Sequence, residues 1–150
     1  MSDFFAQILS NQVIWAGFWA WFVAQIIKPP IHYVQHREWQ WRYVLSAGGM
    51  PSSHSALIMS CTTAIGLLNG FGSSLFALAW VISLIVIYDA TGVRRQAGDQ
   101  ARILNLMIDE LFTGHPLAEK ELQERLGHTP RQVLAGIALG IAVAALVVAR

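Results

Sequence analysis

The chain has 150 residues, enough for one domain, and is 55% hydrophobic with only 13% charged residues, about half the charged share of an ordinary soluble domain. With a mean hydropathy of +0.47, that balance excludes an intrinsically disordered chain and leaves a small soluble domain short of polar surface, so the bilayer is the expected solvent. A net charge of +1 provides no global field for a polyanion, and nucleic acid is not an expected partner. The single cysteine, Cys61, excludes an internal disulfide or a cysteine-based zinc site and reads as a small core residue. The opening Met1-Ser2-Asp3-Phe4-Phe5 lacks the basic region of a secretory signal, and none is expected.

Four apolar stretches, 13–27, 53–68, 75–88 and 133–149, predict four membrane helices. The first could extend back to Phe4 through Gln7, Ser10, Asn11 and Gln12. At about 1.5 Å rise per residue they measure about 21–26 Å, slightly short of the roughly 30 Å hydrocarbon layer. The alternative, buried helices of a soluble bundle, would need polar faces that the rest of the chain does not supply. If all four span, residues 28–52 and 89–132 share one side. That side holds nine of the ten Lys and Arg, with Arg150 alone opposite; by the positive-inside rule it is cytoplasmic. Trp39, Trp41 and Tyr43 read as interfacial aromatics near membrane ends. The expected fold is therefore all-α: a single integral membrane helical bundle over 1–150, with about four transmembrane helices, in a bacterial inner membrane or an organellar membrane.

Within the second polar segment, Ile103, Leu104, Met107 and Leu111 recur at helical spacing. They predict a cytoplasmic amphipathic helix over 101–112, lying on the membrane or packing across the bundle, followed by a short charged helix over 117–126. Next, Gly127 fits a helix stop, Thr129 an N-cap, Pro130 the first helical position and Gln132 the partner of a capping box. His128 in that run reads as structural, whereas His32, His36 and His115 read as ordinary loop histidines. Gly136 and Gly140 form a GxxxG pattern suited to close helix contact, within the chain or in a homodimer.

Two polar constellations could carry chemistry. The first, Gly48-Gly49-Met50-Pro51-Ser52-Ser53-His54-Ser55-Ala56, leads straight into the second apolar stretch. The glycines allow a tight turn, Ser52 or Ser53 can cap the helix, and the helix start favours an anion, above all a phosphate. His54 in the first turn could donate a proton to a leaving oxygen. A capped turn with an interfacial histidine is the plainer alternative. The second constellation follows the third stretch, with Asp89, Arg94, Arg95, Gly98, Asp99 and Gln100. Arginine forks match phosphate oxygens, although arginines flanking a membrane helix are also ordinary.

Together with Leu126-Gly127-His128-Thr129-Pro130, these blocks resemble a divergent branch of the type-2 phosphatidic acid phosphatase superfamily. Its members are described as acid phosphatase/vanadium-dependent haloperoxidase-related membrane proteins. The likeness covers roughly residues 20 to 140, and the block from Gly48 to Ala56 is its most specific part. The resemblance implies a helical, metal-independent phosphatase that works through a phosphohistidine. It places His54 as leaving-group acid, Ser52 and Ser53 about the phosphate and Arg94 as a clamp; residue chemistry adds Gly49 beside the serines and Arg95 beside Arg94 as phosphate-binding candidates. Lys28 falls on the first-motif lysine, but Pro29, Pro30 and Gln35 follow where that motif continues to arginine; Arg37 or Arg42 could substitute. Gln100 and Leu104 stand where the nucleophilic histidine and its aspartate belong.

A glutamine amide is neither nucleophile nor base. Either His54 or an aspartate, Asp89 or Asp99, attacks phosphorus instead, with Gln100 and Lys28 in support, or the site binds a phosphorylated lipid without cleaving it. Asp89, Asp99, Asn105 and Asp109 could hold Mg²⁺, although no cofactor or metal is the primary expectation. The expected activity is phosphomonoester hydrolysis of a phosphorylated lipid headgroup at the cytoplasmic face. The competing class is an inactive phospholipid-binding or scaffold protein. A transporter fits less well, because the apolar stretches carry almost no ionisable residue.

Overall fold

A computed structural model describes residues 2–39, 41, 48–111 and 127–150. The charged helix expected over 117–126, together with Arg42, Tyr43 and His115, lies outside the described residues, as do the side chains of Arg94, Arg95 and Asp109. The described residues are all-helical, with α1 (Ser2–Leu9), α2 (Gln12–His36), α3 (Ser53–Asn69), α4 (Ser74–Thr91), α5 (Val93–Leu111) and α6 (Pro130–Val148). Two helical stretches, Ser74–Ile108 and Pro130–Val148, are long and apolar enough to cross a membrane.

Short polar residues set the helix starts. The Asn11 side chain accepts from the amides of Val13 and Ile14 at 3.0 and 3.3 Å. It thereby starts α2 afresh and separates it from α1, where a continuous helix back to Phe4 was an option. Ser52 and Ser73 cap α3 and α4, as Ser does when its oxygen replaces a missing backbone acceptor. Thr129 accepts from the Gln132 amide and Gln132 Oε1 accepts from the Thr129 amide, the capping box expected there. Gly127 has φ +91°, the left-handed geometry expected of a glycine at a helix stop.

Two boundaries differ from the sequence expectation. The first apolar stretch does not end at 27, because α2 runs through Pro29 and Pro30 to His36. Two prolines cost a helix backbone hydrogen bonds, but Lys28 and Pro29 are wholly buried, so packing against α3 holds the helix in register. The amphipathic helix begins at Val93 instead of 101, only Gly92 separating it from α4. Its inward seam is Gly98, Ala101 and Asn105, one residue per helical turn. Ile103, Leu104 and Met107 are exposed, so that apolar face does not pack on the bundle.

α3 is the hub, packed against α2, α4 and α6, and the contacts are made by small residues. Ala16, Ala64 and Ala144 form one core cluster, and Ala20, Ala24 and Ala56 another. The glycine pair of α6 lies against α3 within the same chain: a methyl at Gly136 would strike the Ser52 carbonyl, and one at Gly140 the Ala56 carbonyl. Thr62 and Ser83 hydrogen-bond at 2.7 Å to tie α3 to α4. Large side chains face outward, among them Trp15, Phe18, Trp19, Leu78, Val81 and Ile85. A soluble bundle places its bulky apolar residues inside. Here alanine and serine are inside and the bulky residues cover the surface, the arrangement that membrane helices favour.

Candidate functional site

The C-terminal half of α2, the start of α3, the end of α4 and the start of α6 converge at one end of the bundle. α6 is tied to the turn before α3 by the Ser52 amide, which donates to the Gln132 carbonyl at 3.0 Å. It is tied to α4 by the His128 amide, which donates to the Ala90 carbonyl at 2.9 Å. These bonds bring together chain segments far apart in sequence.

At the centre stands the start of α3. Ser52 Oγ accepts from the Ser55 amide at 3.3 Å and from the Ser55 hydroxyl at 3.0 Å, so Ser52 is the cap. Ser53 is buried, and its Oγ accepts from Lys28 Nζ at 3.5 Å. Lys28 itself is only 1% exposed. A buried ammonium is costly unless hydrogen-bonded or paired, and here it stands at the positive end of the α3 dipole. An ammonium and a helix start side by side are groups that could hold an anion. His54, the next residue on α3, is exposed. Gly49 at φ +88° shapes the turn before Pro51 as only glycine does without strain.

A family model described as the divergent PAP2 family matches residues 9–143. The chain belongs to that family. It is also 42% identical over 146 residues to the "Uncharacterized membrane protein YuiD" of Bacillus subtilis (strain 168), covering 90% of this chain and 92% of that protein. No solved structure matches.

Within this PAP2-related bundle, Lys28 on α2 meets Ser53 at the start of α3, with Ser52 and His54 on either side of it in the sequence. Asp89 is half-buried in the last turn of α4, beside Ala90. Asp99 and Gln100 lie on the exposed side of α5 and make no hydrogen bond among the described residues. Asn105 is buried on the inward seam. Among the described residues, no three His, Cys, Asp or Glu side chains converge as metal ligands would. His32 and His36 belong to the last turns of α2 instead of a loop, stacked with ring centroids 4.4 Å apart.

Two residues of this end were not singled out for the site. His128 is 4% exposed, and its ring centroid lies 6.5 Å from that of His54; the Leu126–Pro130 block was its only sequence signal. Gln25, one turn before Lys28 on α2, is buried with Oε1 lacking a hydrogen-bond partner among the described residues. A glutamine inside an apolar stretch was a legible cue.

Proposed function

We propose that this protein is a membrane-embedded phosphatase acting on phosphorylated lipid headgroups. The observation that carries the reading is the start of α3: a buried lysine bonded to Ser53 Oγ, directly beside an exposed histidine. The ammonium and the helix dipole suit a phosphoryl group, and an exposed imidazole one residue away suits the leaving oxygen. Membership of the divergent PAP2 family supports the same chemistry. The outward-facing bulky residues and the membrane assignment of the Bacillus subtilis relative support a lipid setting. Four spans are the reading, with α2, α3, α4 and α6 crossing, α5 lying along the interface and the site facing the cytoplasm. The bias of basic residues supports that orientation. An impermeant thiol reagent applied to intact cells should spare a cysteine placed at position 96, and labelling there would reverse it.

The activity is tested by phosphate release from phosphatidate, phosphatidylglycerophosphate and polyprenyl phosphate with the purified protein in lipid nanodiscs. Turnover of one of them is expected. Saturable binding without turnover of any would make the protein a phospholipid-binding or scaffold protein instead.

A further inference from the structure

A buried polar atom without a partner is costly, and a native structure keeps one only where something else completes it. Among the described residues two buried side-chain atoms lack a partner, Gln25 Oε1 and Ser60 Oγ. Ser60 lies on α3 beside the glycine seam of α6, where a serine hydroxyl can turn to a carbonyl of its own helix. The carboxamide oxygen of Gln25 has no such retreat, because it accepts and cannot donate. We propose that Gln25 determines specificity by accepting a hydrogen bond from a substrate hydroxyl, on the carbon next to the one that carries the phosphoryl group. The inference rests on the phosphatase reading above.

The helix geometry sets the carboxamide beside the phosphoryl site. Gln25 and Lys28 are three residues apart on α2, so they are neighbours on one helix face. Gln25 is 9% exposed and Lys28 1%, which turns that face into the bundle. Lys28 Nζ donates to Ser53 Oγ at 3.5 Å, at the start of α3. Further back along α2, the Val13 carbonyl meets Cys61 Sγ at 3.7 Å, so the two helices run antiparallel. Gln25 therefore lies deeper in the bundle than Lys28 by about 4.5 Å, three residues at the helical rise.

The missing partner must be a donor. A phosphoryl dianion and the ester carbonyls of a lipid offer only acceptors, which a carboxamide oxygen repels. The donor that a phosphorylated lipid can bring is a hydroxyl, and its position decides whether it reaches. With the phosphoryl group at Lys28 and the start of α3, the rest of the lipid extends inward along α2. A hydroxyl on the next carbon sits on that inward side of the phosphate, a step comparable with the single turn from Lys28 to Gln25. The substrate class is thus a phosphomonoester of a polyol headgroup. Phosphatidylglycerophosphate carries such a hydroxyl, whereas phosphatidate and polyprenyl phosphate do not. A lipid without the hydroxyl would bury the carboxamide oxygen unpaired, and that penalty is the source of the discrimination.

The test uses the full chain in nanodiscs with phosphatidylglycerophosphate and its 2′-deoxy analogue, which differ by that hydroxyl alone. The wild type should hydrolyse the hydroxylated lipid with a kcat/KM about 10- to 100-fold higher, the scale of one hydrogen bond to a buried group. Gln25→Met and Gln25→Leu, which fill the space without an acceptor, should each bring the two lipids within about threefold of one another. They should do so by losing rate on the hydroxylated lipid and none on the deoxy lipid, whereas a purely structural role would slow both alike. Their melting temperatures should be unchanged or higher, since an unpartnered buried oxygen is removed. Asn69→Ala, at the far end of α3, should keep the wild-type ratio. Equal wild-type rates on the two lipids would make buried water the partner of Gln25 and overturn the assignment while the phosphatase reading stands. A preference that survives in a folded Gln25→Met or Gln25→Leu variant does the same. Absence of wild-type turnover on both lipids, on phosphatidate and on polyprenyl phosphate overturns the inference and the phosphatase reading together.

Discussion

The two ends of the bundle are built from the same small-residue helices but carry different chemistry. At one end Lys28 is buried against Ser53, and His54 and His128 lie together. At the other, α1 turns into α2 and α3 turns into α4 around a cavity of about 550 Å³ whose lining includes Ser10, Asn11, Gln12 and Asn69. Among the described residues, that cleft has no ionisable side chain in its lining. Its polar groups are hydroxyls and carboxamides, which can hydrogen-bond but can neither offset a dianion nor move a proton. Of the two ends, the one with Lys28 and the two histidines offers charge and proton transfer.

The largest expected difference between the ends is in turnover. His54→Ala should lower kcat by about 100- to 10,000-fold, the range for losing a general acid, with little change in melting temperature because the side chain is exposed. Asn69→Ala in the opposite cleft should leave turnover within about twofold, and a comparable loss there would erase the distinction. Next, Lys28→Met should weaken substrate binding by about 10- to 100-fold, the scale of one charge-assisted hydrogen bond. Removal of the buried charge together with a volume-matched side chain should leave thermal stability unchanged or higher. Gly136→Ala would press a methyl into the backbone beside Ser52, at a cost of about 1–3 kcal/mol. Its melting temperature should fall and its turnover with it, whereas Gly70→Ala, which meets nothing within 4 Å but holds φ +86°, should affect only stability. Smallest of all, Gln100→Ala on the exposed side of α5 should change phosphate release by less than about threefold; a large loss would return Gln100 to the site.

What could be read in advance was what is encoded locally. Thr129, Pro130 and Gln132 specify a helix start within a few residues, and Ser52 before His54 does the same, so both caps stand where expected. The apolar cores of the bundle helices were equally plain. The path of α2 across Pro29 and Pro30 was not, since local preference ends a helix there and only burial against α3 overrides it. α5 reaches back to Val93 because its inward seam is made of glycine, alanine and asparagine, which leave no hydrophobic period to detect. The pairing of His54 with His128 depends on how α6 docks onto α3, and no spacing rule reports contacts between helices so distant in the chain. His128 had an adequate local explanation beside the capping box, which hid its second neighbour.

Gly136 and Gly140 lie two and three turns along from His128, and they face the carbonyls of Ser52 and Ala56, the residues that bracket His54. Contact between bare backbones has no rotamer to yield. The interval between the two imidazoles is thus measured out by α6 lying directly on α3, as a rule is laid against an edge. One added methyl on the glycine seam changes the gauge itself.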